Sequence, residues 1–379
     1  MGTVETMAVF GVAAGVVMAV GLLSGWRLFR KNTLDLAAGA VRDRREGARR
    51  LSVIIPARNE AHNLPHLLES LRAQTLPPDE IVVVDDASED GTGEIAGRYG
   101  VTVIRNEELP RGWTGKNWAL WNGYRHAGGD LLLFLDADVR MAPNALASLV
   151  AARDRAGGVV SVVPFHEARR FHEKLLLVVN LLGMFAFTSP YENGNPRKGL
   201  YGSCILTTRE DYEKINGHAS ISSEVTDDLS LGGRYMAAGI PVTNFLGAGL
   251  ISFRMYPRGM RSALQGVAKS AALSMGLLRR ETIWLCACWM IGLVLSELSL
   301  LLLNTPAGLP LLVGYVLFTA QFFHLARYCG RFGVVLPVLH PLPVLFFLAI
   351  LAYSYWQTSV VGSVTWKGRQ FPVKGGREA

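Results

Sequence analysis

The regular alternation of short apolar runs with segments of helical spacing restricts the fold of residues 51–135 more than any other feature of this sequence. The apolar runs, rich in Val, Ile and Leu, predict strands at residues 51–55, 81–84, 101–104 and 131–135. The segments between them predict helices at residues 60–74, 92–99 and 113–127. Strands that are apolar on both faces and alternate with helices are typical of a mostly parallel sheet covered by helices. The predicted fold class is therefore α/β.

Polar and acidic side chains follow three of these strands at the point where each strand ends. They are Arg58 and Glu60 after the first strand, Asp85 and Asp86 after the second, and Asp136 and Asp138 after the fourth. Open α/β sheets bind ligands beyond the carboxyl ends of their strands. We therefore expect these strand ends to build one site.

Asp136 and Asp138 predict a metal site. In an extended segment, positions i and i+2 point the same way, so the two carboxylates are expected to converge. Two carboxylates that close repel each other unless a positive charge lies between them. Mg²⁺ prefers oxygen ligands and takes substrate phosphates as further ligands, so the pair predicts a diphosphate substrate. The alternative is a pair of solvated aspartates in a loop.

Residues 7–25 contain no charged residue and are long enough, as a helix, to cross a hydrocarbon core of about 30 Å. An uncleaved anchor is expected rather than a signal peptide, because only Glu5 precedes the run and Arg27, Arg30 and Lys31 follow it. The positive-inside rule then places the N-terminus outside and residue 27 onward in the cytoplasm.

The C-terminal third is apolar again, with candidate membrane spans at residues 283–303, 309–326 and 341–361. Basic residues flank the last span on both sides, and a single crossing cannot leave both sides cytoplasmic, so a re-entrant or interfacial segment is an alternative there. Glu297, within the first span, predicts a polar contact between helices or a functional intramembrane acid. Residues 258–280 predict an amphipathic helix on the inner membrane face, with a soluble helix as the alternative.

The composition favours a membrane protein over a nucleic-acid-binding protein. Only 18% of the residues are charged, below the roughly 25% of typical soluble domains. The net charge is +7, but many Arg and Lys residues flank the apolar segments, and no zinc-finger spacing or aromatic-studded basic strand is present, so no nucleic-acid partner is predicted. The four cysteines form no CxxC pair, which favours free thiols in a reduced compartment.

The predicted organisation follows from these patterns. In chain order it comprises a transmembrane helix at residues 1–26, a basic linker at 27–50, the α/β domain at 51–257, the amphipathic helix at 258–280, transmembrane helices at 281–361 and a basic tail at 362–379. Within the α/β domain, residues 174–188 are apolar but too short to cross a membrane comfortably. They predict either a membrane-surface helix or a buried core helix.

Five motifs occur in the order VIIPARNEAHNL, IVVVDDASEDGT, GKNWALWNG, FLDAD and TDDLSLGGR. Together, over about residues 51–250, they resemble the inverting family 2 nucleotide-sugar glycosyltransferases, which have the GT-A fold. The segment GWTGKNWA, the apolar C-terminal third and the terminal WKGRQF are further similar to membrane-bound members that glycosylate lipids, such as those associated with carotenoids and hopanoids. The resemblance implies a UDP-sugar donor, Mg²⁺ or Mn²⁺, and a membrane lipid acceptor.

The resemblance also implies roles for residues on the donor side. Asp86, with Asp85 beside it, matches the acid that binds the uracil or ribose, although both could instead cap the next helix. Lys116 matches the lysine near the diphosphate, where charge builds up during transfer; the alternative is an exposed helix lysine. Asp136 and Asp138 match the metal- and ribose-binding DxD motif. The segment that wraps around the nucleotide matches Pro56, Ala57, Arg58 and Glu60.

Asp227 and Asp228 match an acidic pair that is usually Glu-Asp in the family, and whose second member acts as the base. Asp228 is therefore the candidate general base, with a pKa raised by an apolar or anionic setting; a helix N-cap is the alternative for either residue. Gly202 matches a small residue on a strand near the acceptor pocket, where close backbone approach requires glycine, or else marks a bulge. Trp366 and Arg369 resemble a tail segment that covers the active site.

The leading hypothesis is an inverting, metal-dependent glycosyltransferase of the bacterial inner membrane with its catalytic domain in the cytoplasm. It would transfer a hexose from a UDP-sugar to a hydroxyl or carboxyl of a membrane lipid. One alternative is a processive polysaccharide synthase, which would need a QxxRW motif where this sequence has only WKGR. A non-catalytic membrane scaffold is the other alternative, and it predicts missing acids, whereas all the expected acids are present.

Overall fold

The computed structural model describes residues 2–36, 49–224, 226–257, 259–264, 266–267 and 277–357, and the backbone of residues 363–366 and 369–372. The chain divides into two compact units. Unit 1 comprises Met1–Lys31, Glu167–Asn195 and Met255–Ala379, and unit 2 comprises Asn32–His166 and Pro196–Arg254. The segment predicted as one α/β domain is thus interrupted by residues 167–195, which belong to unit 1.

The strands of unit 2 begin with the predicted apolar runs. In chain order they are β1 (Leu51–Ala57), β2 (Glu80–Asp85), β3 (Thr102–Arg105), β4 (Leu131–Leu135), β5 (Val139–Met141), β6 (Val159–Val163), β7 (Phe165–His166), β8 (Cys204–Thr208), β9 (Val242–Leu246) and β10 (Ile251–Phe253). The main sheet has the order β3-β2-β1-β4-β8-β6-β9. Only β8 runs against its neighbours, so the sheet is mostly parallel, as predicted.

The helices alternate with these strands and also build unit 1. In chain order they are α1 (Thr3–Leu28), α2 (Leu64–Arg72), α3 (Thr92–Arg98), α4 (Gly115–His126), α5 (Ala145–Ala156), α6 (Phe171–Lys174), α7 (Leu177–Thr188), α8 (Arg209–Lys214), α9 (Asp227–Ala237), α10 (Arg280–Glu297), α11 (Ser299–Leu302), α12 (Gly308–Cys329), α13 (Val335–Val338) and α14 (Pro341–Trp356). Single 3₁₀ turns lie at Pro190–Glu192 and Gly217–Ile221.

Both faces of the main sheet are covered by helices. On one face α2 buries its four leucines against Val53 and Ile55 of β1. On the other face α4 crosses β1 and β2 so closely that a Cβ at Gly123 would lie 2.6 Å from Ile54 Cγ2. Burial of β1 on both faces explains why its sequence is continuously apolar.

Close helix packing and buried polar contacts between helices stabilise unit 1. At Gly21 of α1, a Cβ would meet the Cys288 carbonyl of α10 at 2.9 Å, so glycine is needed for the approach of the two backbones. Trp289 Nε1 of α10 donates to Gln321 Oε1 of α12 at 2.8 Å, and Gln321 Nε2 donates to the Leu22 carbonyl of α1 at 2.9 Å. These bonds link three apolar helices through groups that would otherwise be unsatisfied.

Within the described residues, four helical segments are long and apolar enough to cross a membrane: Thr3–Leu28, Phe171–Glu192, Arg280–Leu302 and Gly308–Cys329. The second is longer than the 174–188 run predicted, because α6 precedes α7 and a 3₁₀ turn follows it. The predicted run was too short to cross a membrane comfortably, but the helical segment that contains it, with 22 residues, is long enough. The span predicted at 341–361 is a 16-residue helix, α14.

Several predicted segments fall partly outside the described residues. For the amphipathic helix at 258–280, helical backbone is described at residues 260–264 and 266–267. Residues 37–48 of the basic linker at 27–50, and residues 362, 367–368 and 373–379 of the tail, lie outside the described part of the chain. Within the tail, β11 (Ser363–Trp366) and β12 (Arg369–Pro372) form an antiparallel hairpin that pairs Trp366 with Arg369.

Candidate active site

The loops that follow β1 and β2 are joined by hydrogen bonds at the carboxyl edge of the main sheet. The Asn59 N–H donates to Ser88 Oγ at 3.0 Å, and the Asp86 N–H donates to the Ala57 carbonyl at 2.8 Å. These bonds hold the two loops together. The predicted nucleotide-binding residues of this edge are thereby collected in one place: Pro56, Ala57, Arg58, Glu60, Asp85 and Asp86.

Asp85 and Asp86 are both buried, but their side chains make different contacts. Asp85 Oδ1 accepts the Ser88 N–H at 3.0 Å, so its carboxylate shapes the loop before α3. Asp86 is approached by Arg58, whose Nη1 lies 3.6 Å from Asp86 Oδ2 and donates to the Asp86 carbonyl at 3.4 Å. The Arg58–Asp86 pair joins the ends of two adjacent strands.

Asp136 and Asp138 lie on a turn between β4 and β5 rather than on an extended segment. The Val139 N–H donates to the Asp136 carbonyl at 3.2 Å and closes the turn. The expectation that these residues belong to an extended segment is therefore wrong. Both residues nevertheless lie at the carboxyl end of β4. The Asp136 N–H also donates to the Ser203 carbonyl at 3.0 Å, just before β8.

Lys116 lies between carboxylates that come from two different elements. It belongs to the first turn of α4, where a cation is unfavourable to the helix dipole. Its Nζ lies 3.0 Å from Asp136 Oδ1 and 3.6 Å from Asp227 Oδ2, so this helix lysine is paired with two carboxylates. Its side chain remains 37% exposed and so accessible to a ligand. Lys116, Asp136, Asp227 and Asp228 are called the acid–lysine cluster below.

Asp227 and Asp228 form the first turn of α9, where negative charge is favourable to the helix dipole. Thr226 occupies the N-cap position, so neither aspartate is the N-cap. Asp228 Oδ2 accepts the Gly202 N–H at 3.0 Å, and Oδ1 accepts the N–H of Leu229 at 3.0 Å. Both oxygens of Asp228 are therefore oriented by backbone donors.

Gly202 lies in the turn before β8, not on the strand as predicted. A Cβ at this position would lie 3.0 Å from both Cβ and Oδ2 of Asp228. A side chain at this position would therefore press on Asp228. This turn links the two acidic segments, because Ser203 binds Asp136 and the adjacent Gly202 binds Asp228. Lys116 links the same segments a second time, through Asp136 and Asp227.

The charges of the cluster shift two of its pKa values. Burial opposes the charge of Lys116, but Asp136, Asp227 and Asp228 outweigh it, so the pKa of Lys116 is raised and its ammonium stays protonated. The pKa of Asp228 is raised to about 6 by burial and by the charge of Asp227, against the opposing effect of Lys116. At neutral pH Asp228 is mostly ionised yet basic enough to take up a proton.

Asn117 is a buried residue at the site that sequence reasoning did not identify. Its Nδ2 donates to the carbonyls of Ile221, Ser222 and Glu224 at 2.7, 3.2 and 3.1 Å, respectively. These carbonyls belong to the segment that leads into Asp227, and Asn117 directly follows Lys116. Asn117 therefore holds the two halves of the acid–lysine cluster against each other. The position of Asn117 within the motif GKNWALWNG was the feature of the sequence that could have identified it.

His218 is a second residue that the sequence did not single out. Burial lowers the pKa of His218 to about 4, so the ring is neutral at physiological pH. Its Nδ1 lies 2.7 Å from the Tyr212 hydroxyl, which also accepts the His218 N–H at 3.0 Å. The 3₁₀ turn that precedes the acidic pair is thus anchored to α8. A lone histidine in a sequence carries no signal for such a role.

Trp366 and Arg369 face each other across the backbone of the β11–β12 hairpin, which belongs to unit 1. Their suggested position over the active site stays a prediction. The other predicted site residues, which lie in unit 2, occur at the ends of β1, β2 and β4 or on elements in contact with those ends.

Relatives of known activity cover most of the chain. It is 34% identical over 333 residues to the 4,4'-diaponeurosporenoate glycosyltransferase of Staphylococcus aureus (strain USA300), an alignment that spans 85% of this chain and 88% of that protein. The protein of the same name from strain MRSA252 is 35% identical over 334 residues, with the same coverage.

A solved structure supports the same fold. The mannosyltransferase from Pyrobaculum calidifontis, in complex with GDP-Man and Mn²⁺, has a TM-score of 0.52 and 20% identity, and the match covers 94% of this chain and 100% of that chain. A family model described as Glycosyl transferase family 2 matches residues 52–215, from β1 to the end of α8. With these matches over the strand-end site, the chain belongs to glycosyl transferase family 2 and is a glycosyltransferase of the GT-A fold.

Proposed function

We propose that this chain transfers a hexose from a UDP-sugar to a membrane lipid in an inverting, metal-dependent reaction. The acid–lysine cluster is the observation that carries this proposal. It combines a carboxylate of raised pKa with a lysine that stays charged, at the edge where β1, β2 and β4 end. Transfer of a sugar from a diphosphate needs both a base for the acceptor and a positive charge for the leaving group.

Asp228 is the proposed general base. Its carboxylate takes the proton of the acceptor hydroxyl as that oxygen forms a bond to the anomeric carbon, and the bond from this carbon to UDP breaks. Attack on the side opposite to UDP inverts the anomeric configuration. The N–H groups of Gly202 and Leu229 fix the carboxylate while it acts, which favours a reactive geometry.

The strand-end loops are proposed to bind the donor. Asp86 would accept hydrogen bonds from the uracil or ribose, with Arg58 holding its carboxylate in place. Pro56, Ala57 and Glu60 would line the nucleotide. Lys116 would lie near the diphosphate, where its fixed charge stabilises the negative charge that develops on UDP.

The donor set fits a divalent cation. Among the described residues, no group of three or more His, Cys, Asp or Glu side chains comes together for a metal. Unit 2 would therefore supply Asp138 and Asp136, and phosphates and water would complete the oxygen ligands, as is typical of Mg²⁺ and Mn²⁺. When bound, the cation would neutralise charge on the diphosphate.

A lipid acceptor is supported by the apolar helices of unit 1 and by the relatives. The S. aureus proteins are named as glycosyltransferases of 4,4'-diaponeurosporenoate. We propose a carotenoid-, hopanoid- or glycerolipid-like acceptor in the inner membrane of a bacterium, with the site facing the cytoplasm. In a carboxylate acceptor no proton need be removed, so the role of Asp228 there would be to orient the attacking oxygen.

The test is UDP release by purified protein with a panel of UDP-hexoses, Mg²⁺ or Mn²⁺, and lipid extract. We expect release with one donor and a product carrying a single sugar, and a polymeric product would favour a processive synthase. Asp228→Asn should abolish turnover of a hydroxyl acceptor and retain UDP binding in calorimetry. Asp154→Asn is the matched control, because that carboxylate pairs with Arg49 on the surface. No UDP release with any donor would overturn the proposal.

A further inference from the structure

Three helices of unit 1 define a common direction. Gly21 of α1 lies against Cys288 and Gly292 of α10, and Gly25 of α1 lies against Trp289, so α1 and α10 are antiparallel. Near its C-terminus α1 also contacts the end of α12, where the rings of Trp26 and His324 are 4.8 Å apart. The C-terminal ends of α1 and α12 and the N-terminal end of α10 therefore lie together, and we call this the basic end of unit 1.

In α1, α10 and α12 and the residues that flank them, positive charge is confined to this end. The exposed basic residues there are Arg27, Arg30, Lys31, Arg279, Arg280, Arg327 and Arg331. Residues 2–26 and 281–326 contain no Lys or Arg. A bundle with basic residues at only one end has the charge distribution of a membrane protein whose basic end faces the cytoplasm.

The helical segment Phe171–Glu192 has both of its ends at the basic end. Before it, Glu167 Oε1 lies 3.5 Å from Arg331. After α7, the Tyr191 hydroxyl accepts from Arg27 Nε at 2.8 Å, and Glu192 Oε1 accepts the Arg279 N–H at 3.1 Å. A helix of this length that crossed the bilayer would have its ends about 30 Å apart along the membrane normal.

The segment after α12 enters the bundle and returns. The buried His340, at the start of α14, places Nδ1 2.7 Å from Glu297 Oε1, and its ring stacks on Tyr315 at 4.1 Å. Tyr315 lies 14 residues before Cys329, or about 20 Å from the basic end along α12. His340 is therefore deep in the bundle.

The second half of α14 is again close to the basic end. Ile350 packs with Leu176, which lies at the start of α7, and with Val267; Tyr256 is packed against the same cluster. The described part of α14 has 16 residues and is about 24 Å long, which is shorter than a hydrocarbon core of about 30 Å. It ends on the side where the chain first entered.

We propose that only α1, α10 and α12 cross the membrane, that Phe171–Glu192 lies along the cytoplasmic headgroup layer, and that residues 330–357 form a re-entrant segment. The partner of this surface is the cytoplasmic lipid leaflet, whose anionic headgroups match the basic end. The tail with Trp366 and Arg369 would then emerge on the cytoplasmic side. Basic residues flank the last predicted span on both sides. A re-entrant segment leaves both flanks in the cytoplasm, whereas a single crossing would not.

Single cysteines in a variant lacking the four native cysteines test the topology with a membrane-impermeant maleimide. Arg169→Cys and Asn193→Cys flank the interfacial helix, and Arg377→Cys reports on the tail. We expect all three to react in inside-out vesicles and not in right-side-out vesicles, and Asn304→Cys to react in the opposite way. Lys31→Cys serves as the cytoplasmic reference.

Reaction of Arg169→Cys and Asn193→Cys from opposite sides would show that Phe171–Glu192 crosses and would overturn the proposal. If Arg377→Cys reacted in the same vesicles as Asn304→Cys, the tail would lie outside, and the proposed re-entrant segment would be wrong. Size-exclusion chromatography in detergent checks that each variant is folded. A C-terminal epitope on the wild-type chain gives an independent measurement, because a protease should remove it only from inside-out vesicles.

Discussion

Gly202→Ala is expected to lower the rate of transfer without unfolding the protein. The new Cβ would lie 3.0 Å from Cβ and Oδ2 of Asp228, whereas ordinary contacts begin at 3.4 Å. The carboxylate must therefore move by about 0.4 Å, away from an orientation fixed by the N–H groups of residues 202 and 229. Since a misplacement of about 1 Å can cost about 100-fold in rate, we expect a loss of roughly five- to tenfold in kcat.

The same substitution should also move the acidic limb of the pH–rate profile. The hydrogen bond from the Gly202 N–H favours the ionised form of Asp228, so weakening it raises a pKa that is already about 6. The assay is UDP release measured between pH 5 and pH 8 at saturating donor and acceptor. The limb of the variant should lie at higher pH than that of the wild-type protein.

Gly233→Ala is the matched control, because it lies on the same helix as Asp228 and a Cβ there has nothing within 4 Å. Alanine is favoured over glycine inside a helix by up to about 1 kcal/mol, so this variant should be as active as wild type and slightly more stable. A Gly202→Ala enzyme with wild-type kcat and an unchanged acidic limb would refute the assignment of Asp228 as the base.

Three further predictions concern stability and packing. Asn117→Ala removes the contacts of one amide group with three carbonyls of the segment before α9, so we expect thermal denaturation to show a loss of about 1–3 kcal/mol and kcat to fall. Because the pKa of Asp228 is raised from 3.8 to about 6, the protonated form is favoured by folding and this stability is lost as pH rises through 6. Asp228→Asn should therefore raise the free energy of unfolding at pH 8 by at most about 3 kcal/mol, seen as a higher Tm, and leave it unchanged at pH 3. Gly21→Leu should lower the Tm in detergent because a Cβ there meets α10, whereas Gly15→Leu, with nothing within 4 Å, should not; equal Tm values for the two would contradict the packing of α1.

The local sequence was sufficient to predict β1–β4 and the acidic residues that follow β2 and β4. β1, β2 and β4 are buried on both faces, so each is continuously apolar, and a polar residue marks the point where the strand leaves the core. The positions of Asp86 and Asp136 at one edge follow from the parallel direction of consecutive strands. Residues 7–25 predicted a membrane helix on length and lack of charge alone, and α1 contains this run.

Contacts between residues far apart in sequence were needed for the remaining features. Asp136 and Asp227 share Lys116 although 91 positions separate them, and the raised pKa of Asp228 depends on burial and neighbours that only the packed chain brings together. The geometry of residues 136–139 was likewise decided by a turn and not by the strand period.

The length and apolar composition of Phe171–Glu192 are sufficient for a membrane crossing, and they are properties of the sequence alone. Whether its two ends lie on one side or on opposite sides depends on Arg331, Arg27 and Arg279, which are distant in the chain. Burial and periodicity act within one element and can be recognised from its residues. The relative placement of elements is set by pairwise contacts across the chain, and for this reason only the tertiary structure decided it.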